Sequence, residues 1–227
     1  MKFRILIAIS ILIVSANSLF SQDMKVIRDF RFIGKLGITK ELFNSWEIGI
    51  ESALKLEKDA SRIDEIDFDL DVHYQPHSIL VLGVGYRYAF NQKKDSTYEQ
   101  KQRLFGEAEL NFKWERFKFE YRLRYQNVDD DFFQYVETAP AEHILRNRIQ
   151  LNYNIPKSKL TPYFYSELYG NLEKGTQFAI KMKFALGFKY SLGKYGKVRL
   201  YYRIDRQLND QYPFTYHSLG IGYRYKF

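Results

Sequence analysis

From residue 46 to the C-terminus, apolar and polar residues alternate with a period of two. Trp46, Ile48, Ile50, Leu54 and Leu56 share one parity, with Glu47, Gly49, Glu51 and Lys55 between them. Next, Ile66, Phe68, Leu70, Val72 and Tyr74 alternate with Asp67, Asp69, Asp71 and His73. A strand points successive side chains to opposite faces, so each segment has one apolar and one charged face. Wound as a helix, the second segment would spread its carboxylates all round and keep no apolar stripe. The pattern recurs over 80–90, 107–114, 117–126, 145–155, 178–189, 198–205 and 219–227. The least regular segment is 160–170, where Pro162 stands near the start, a position at which a strand tolerates a missing N–H.

These are ten strands, and 28–41 is an eleventh segment. The connections alternate as well. Short ones fall near 42–45, 75–78, 115–116, 156–159 and 192–196; longer polar ones fall near 58–62, 92–97, 127–142, 171–175 and 208–213. Short turns at one end and longer loops at the other are the layout of a transmembrane β-barrel. The expected fold is therefore all-β: an antiparallel up-and-down transmembrane barrel of ten to twelve strands, forming one domain from 22 to 227. Single-chain bacterial barrels have even strand numbers, which puts both termini on the periplasmic side and rules out eleven. Segment 28–41 is expected either inside a ten-stranded barrel or, with one extra short strand, in a barrel of twelve, the preferred count.

The N-terminus carries an address. Lys2 and Arg4 precede an apolar run over 5–14, followed by small and polar residues to Ser21. A charged start, a short apolar core and a small-residue exit form a secretory signal peptide, expected over 1–21 with cleavage after Ser21 and Ser18 as the other option. The run is too short to span a bilayer as a helix, and no apolar run approaches the roughly 20 residues a membrane helix needs. The chain has no cysteine, which excludes disulfide staples, thiolate metal sites and a lipidated cysteine. A net charge of +8 on an exported chain points to anionic headgroups rather than nucleic acid.

Alternation alone does not say which face looks outward; a soluble, lipocalin-like barrel would put the apolar face inside. Export argues for the inverse. So does the aromatic content, 19 Tyr and 19 Phe, with Trp46, Tyr74, Tyr86, Tyr88, Trp114, Tyr125, Tyr153 and Tyr190 expected near strand ends, as interfacial girdles require. The chain closes with Leu219, Ile221, Tyr223, Tyr225 and Phe227 at alternating positions. This end resembles the C-terminal signature by which outer-membrane barrels are recognised by their assembly machinery, with Tyr223, Tyr225 and Phe227 carrying it. Expected partners are that machinery and outer-membrane lipid, and the expected location is the bacterial outer membrane.

Several stretches carry a wider resemblance: Gly83-Val84-Gly85-Tyr86-Arg87-Tyr88, Arg146-Asn147-Arg148, Ser158-Lys159-Leu160-Thr161-Pro162-Tyr163, Ser166-Glu167-Leu168 and Leu219-Gly220-Ile221-Gly222-Tyr223-Arg224-Tyr225-Lys226-Phe227. On these the chain resembles the Bacteroidetes-type outer-membrane barrel family known as domain of unknown function 2490. The resemblance implies the fold and the location. It implies no activity and transfers no functional residue.

With the apolar face outward, the charged face lines the lumen. Glu47, Glu51, Asp67, Asp69, Asp71, Glu107 and Glu109 make an acidic early wall. Arg122, Arg124, Arg146, Arg148, Lys181, Lys183, Lys189, Arg199, Arg203 and Arg224 make a basic later wall, with Glu167 expected in the same network. Desolvated charges must be paired, so these residues either fill the interior with ion pairs or line a narrow pore with a transverse field. On this assignment, Leu70→Arg costs about 2–4 kcal/mol at mid-membrane and Asp69→Asn much less. The expected role is a structural barrel or a narrow pore for small solutes.

Two alternatives are an outer-membrane lipid-modifying enzyme and a soluble periplasmic lipid-binding barrel. A Ser–His pair shares a strand face only at a spacing of two. His77-Ser78 and His217-Ser218 are adjacent, so no catalytic residue is expected. Asp129-Asp130-Asp131 lacks the alternating ligand spacing of a calcium loop, and neither metal nor cofactor is expected.

Overall fold

The period-two segments become strands in the computed structural model, which describes residues 27–43, 45–92, 97–129, 142–173, 177–209 and 213–227. The expected signal peptide, and Asp130, Asp131, Phe132, Phe133 and Tyr135 of the longest loop, lie outside the described residues. The strands are β1 (Ile27–Glu41), β2 (Trp46–Glu57), β3 (Arg62–His77), β4 (Leu80–Gln92), β5 (Tyr98–Trp114), β6 (Phe117–Asp129), β7 (Glu142–Tyr153), β8 (Leu160–Asn171), β9 (Ala179–Ser191), β10 (Lys197–Gln207) and β11 (Phe214–Lys226). Each pairs antiparallel with its sequence neighbour, and β1 closes the barrel against β11.

The count of eleven lies inside the expected range, but the parity argument and the preference for twelve do not hold. Segment 28–41 is a wall strand, neither a plug nor part of a twelve-stranded wall. It pairs with β2 antiparallel and with β11 parallel, in the register Phe32↔Leu219 and Leu36↔Tyr223. An even number is required only when every neighbouring pair is antiparallel; one parallel seam allows an odd number. The seam extends to the chain end, where Phe227 N donates to Thr39 O at 3.1 Å and Glu41 N to Phe227 O at 3.3 Å. The terminal strand thus has no free edge.

Bounds differ most where polar residues blurred the alternation. Strand β5 starts at Tyr98, well before 107, and β11 starts at Phe214. Expected turn residues Gln75 to His77 belong to β3, across an irregularity in its register with β4. Pro76 stands there, as a strand proline must at a bulge or edge. The tight β5–β6 connection is Glu115–Arg116, with Glu115 at φ 52°.

The apolar face points out. Val84, Ile149 and Leu186 are 62%, 62% and 61% exposed, although each sits mid-strand. The charged face is enclosed: Asp67 is 1% and Glu167 3% exposed. Rings mark the outer rim at the short-turn end. Trp46 stacks on Tyr74 at 4.7 Å, Phe117 meets Tyr153 at 5.1 Å, and Tyr225 stacks on Phe227 at 5.7 Å. Inside, missing side chains make room for rings laid flat on the wall. A Cβ on Gly85 would collide with the Phe105 ring, and one on Gly83 with His73.

Candidate functional site

The interior is built from one parity of every strand. Its centre is an arginine–carboxylate belt around the waist. Cross-strand register places Arg124 opposite Arg146 and Arg122 opposite Arg148, an arrangement that is destabilising when left bare. Glu107 of β5 takes Arg124 Nε at 2.7 Å, Arg122 Nη1 at 3.5 Å and His73 Nε2 at 2.9 Å. Glu167 of β8 takes Arg122 Nη2 and Arg146 Nη2, both at 2.8 Å. Arg124 also stacks on Phe105 at 3.9 Å and Arg146 on Tyr169 at 4.5 Å. Charge-assisted bonds from several donors to one carboxylate are what a partly dry interior needs.

The other charged residues join in sequence. His73 Nδ1 reaches Asp71 at 2.9 Å. Asp69 is held by both ends of the Arg87 guanidinium. Lys55 bonds Asp67 at 2.8 Å and also Glu65. Glu51 receives Lys35 and Arg224, each at 2.5 Å, and Lys226 reaches Glu47 at 2.7 Å. Arg203 meets Asp205 at 2.6 Å, Lys183 the same carboxylate at 3.9 Å, and Arg148 meets Glu109 at 3.7 Å. Lys181 lies over the Tyr169 ring at 4.9 Å and Arg199 lies 6.0 Å from the Tyr163 centroid.

These ion pairs lie within one strand or join strands that are neighbours or one strand apart; they do not cross from one wall to the other. They lie along the wall and leave the centre open. A cavity of about 1040 Å³ occupies it. Its lining includes every charged residue expected on the lumen face except Asp67, which is buried and bonded to Lys55, and Lys189, which lines a second cavity. The lining reaches Glu41, Phe43, Glu47 and Gln75 at the short-turn end, and Arg31, Asp64, Asn91, Lys101 and Glu142 at the long-loop end. A second cavity of about 380 Å³ lies inside the short-turn end between β5 and β10.

Sequence reasoning left Lys35, Glu65, Arg87 and Asp205 out of the interior set. Arg87 and Asp205 share the parity of the charged faces, so the signal was present. Lys35 lies in segment 28–41, to which no face could be given before its register was known. The bond between Asp69 and Arg87 also corrects one expectation: Asp69→Asn breaks a buried pair, which carries a large cost.

The histidines are engaged singly. His73 is part of the belt. His143 Nδ1 bonds Tyr125 OH at 2.7 Å and His217 Nδ1 bonds Tyr202 OH at 2.6 Å, each across to the neighbouring strand on the outer face. Ser218 is fully buried on the opposite side of β11 from His217. Tyr223 and Tyr225 point outward at the short-turn rim, where Phe227 ends the chain; Tyr223 OH donates to Tyr195 O at 2.5 Å.

A model of a family of proteins of unknown function, DUF2490, matches residues 31–213. No curated protein matches the chain. Among solved structures, a refined porin is similar at 15% identity and a TM-score of 0.37, over 81% of this chain and 58% of the porin. The β domain of the Bordetella autotransporter BrkA is similar at 12% identity and a TM-score of 0.41, over 78% of this chain and 79% of that domain. The chain thus spans less than two thirds of the porin's length.

Proposed function

The chain belongs to the DUF2490 family of proteins of unknown function, and we propose that it is a bacterial outer-membrane β-barrel acting as a narrow pore for small polar solutes, without enzymatic activity. One observation carries the pore: the waist belt lies along the wall, and a single cavity lined by it runs from the short-turn rim to the long-loop rim. Strands of 11–17 residues at a tilt near 40° give a barrel about 30 Å tall. Spread over that height, 1040 Å³ averages roughly 35 Å² in cross-section, a passage about 7 Å wide. That is the scale of hydrated ions and small polar solutes.

The membrane setting is supported by the apolar outer face, which encircles the barrel with ring-rich rims. A continuous exposed apolar belt marks a surface meant for lipid. In this reading the short-turn end faces the periplasm, the first 21 residues direct export, and the outward Tyr223, Tyr225 and terminal Phe227 engage the assembly machinery. Carbonate washing of membranes separates this from a soluble lipid binder: the intact protein stays embedded.

Single-channel recording of refolded protein in a planar bilayer tests the pore. Steady conductance is expected, with ion selectivity altered by Arg148→Gln and Arg199→Gln, neither of which breaks a tight pair. Silence from protein shown to be inserted rejects the pore and leaves a purely structural barrel.

A further inference from the structure

The second cavity differs from the waist in what balances its charge. It is lined by Lys113, Arg116, Lys118, Lys159, Lys189 and Lys197 against two carboxylates, Glu115 and Glu120, an excess of four positive charges. The register again sets cations face to face: Lys113 opposite Lys118, and Lys189 opposite Arg199. At the waist such pairs are bridged by Glu107 and Glu167. Here Lys118 meets Glu120 at 2.6 Å, and none of the other five cations has a carboxylate within 4.0 Å among the described residues. Glu120 is further occupied by Gln150 Nε2 at 2.6 Å. Lys189 donates to a neutral acceptor, Asn152 Oδ1, at 2.7 Å and lies over the Tyr163 ring at 5.2 Å. Like charges directly opposite on a sheet are destabilising unless a counter-charge sits between them, and the one buried carboxylate among these six cations is Glu120.

We propose that this pocket binds a soluble, phosphate-bearing solute with at least two negative charges, held at the short-turn mouth of the barrel. Lysine ammonium groups from four strands and one connection, with Arg116 from another, suit tetrahedral oxyanions, which accept from several directions at once. Asn154, Thr161 and Ser191 add neutral polar groups to the wall, and about 380 Å³ is the volume of a small-ligand site. A lipid headgroup fits less well. The strand cations share the inward parity, while Phe112, Phe119 and Phe188 beside them are the exposed outward residues, so acyl chains would have to enter a polar interior. The site requires access from the short-turn end but not a conducting pore.

The test is a calorimetric titration of the folded full-length chain, in zwitterionic detergent, with inorganic pyrophosphate. One saturable site is expected. Affinity falls at least tenfold in Lys118→Gln/Lys189→Gln, severalfold in Lys159→Gln on the exposed turn, and is unchanged in Lys40→Gln, which removes the same charge from the outer side of β1. No saturable heat, or an equal loss in Lys40→Gln, overturns the site. Competitive displacement of pyrophosphate by phosphatidylglycerol vesicles overturns the soluble solute in favour of a headgroup. Protein that is silent in the bilayer yet binds pyrophosphate loses the pore and keeps the site; conducting protein without binding does the reverse.

Discussion

The waist and the short-turn mouth meet the same electrostatic problem and answer it differently. In both, cross-strand register sets cation against cation: Arg124 faces Arg146 at the waist, and Lys113 faces Lys118 at the mouth. At the waist Glu107 and Glu167, 7% and 4% exposed along their side chains, each serve two arginines. At the mouth lysines outnumber carboxylates and keep their charge open to the interior. A belt closed upon itself stabilises the wall; an unbalanced cluster is a place for something charged to enter. The choice of side chain fits this division. Guanidinium groups dominate the waist, where several fixed bonds per group are needed, and flexible ammonium groups dominate the mouth.

The comparison breaks most visibly at Glu167. Glu167→Ala strands Arg122 and Arg146 without their shared acceptor, and losing one partner of a buried pair costs about 3–5 kcal/mol. Urea unfolding of the refolded barrel should register that loss, and a change below about 1 kcal/mol would mean that the belt does not hold the waist. Leu70→Arg comes next, at about 2–4 kcal/mol in the proposed membrane setting, because a charge replaces an aliphatic group on the apolar outer face at mid-strand; loss near zero would argue that the outer face meets water. At the mouth the sign reverses. Lys113→Gln removes a repulsion and should stabilise by roughly 0.2–1 kcal/mol in low-salt buffer, measured in the same unfolding series. A cost of the size seen at Glu167 would erase the distinction between the two regions. The smallest effect is the salt response. Raising ionic strength from about 0.01 to 0.15 M shortens the screening length from roughly 30 to 8 Å, so wild-type stability should rise slightly, and Lys113→Gln/Lys189→Gln should blunt that rise.

Much of this was legible along the chain, for a specific reason. A strand has a strict period of two, so parity alone sorted Leu70 from Asp69 and Tyr121 from Arg122 into two faces; which of the two looks outward took the aromatic strand ends and the closing aromatic run as well. The belt residues were legible as a class, since charged side chains at one parity have nowhere else to go. Their partners were not. Whether Arg122 meets Glu107, Glu109 or Glu167 depends on the stagger between strands, and a stagger leaves no mark in any single strand. The mouth cluster was hidden for the same cause: Arg116, Lys159 and Lys197 belong to turns or strand ends where alternation carries no information.

The sequence by itself determined the strands, their alternating connections and the split of each strand into an apolar and a charged face, because these follow from local geometry. The tertiary structure alone decided the closure of β1 against β11, the register that sets arginine opposite arginine, and the division of the interior into a belt, a central cavity and a basic mouth. Each depends on which residues lie opposite one another once the sheet has curled shut, and that is settled by the whole ring of strands together.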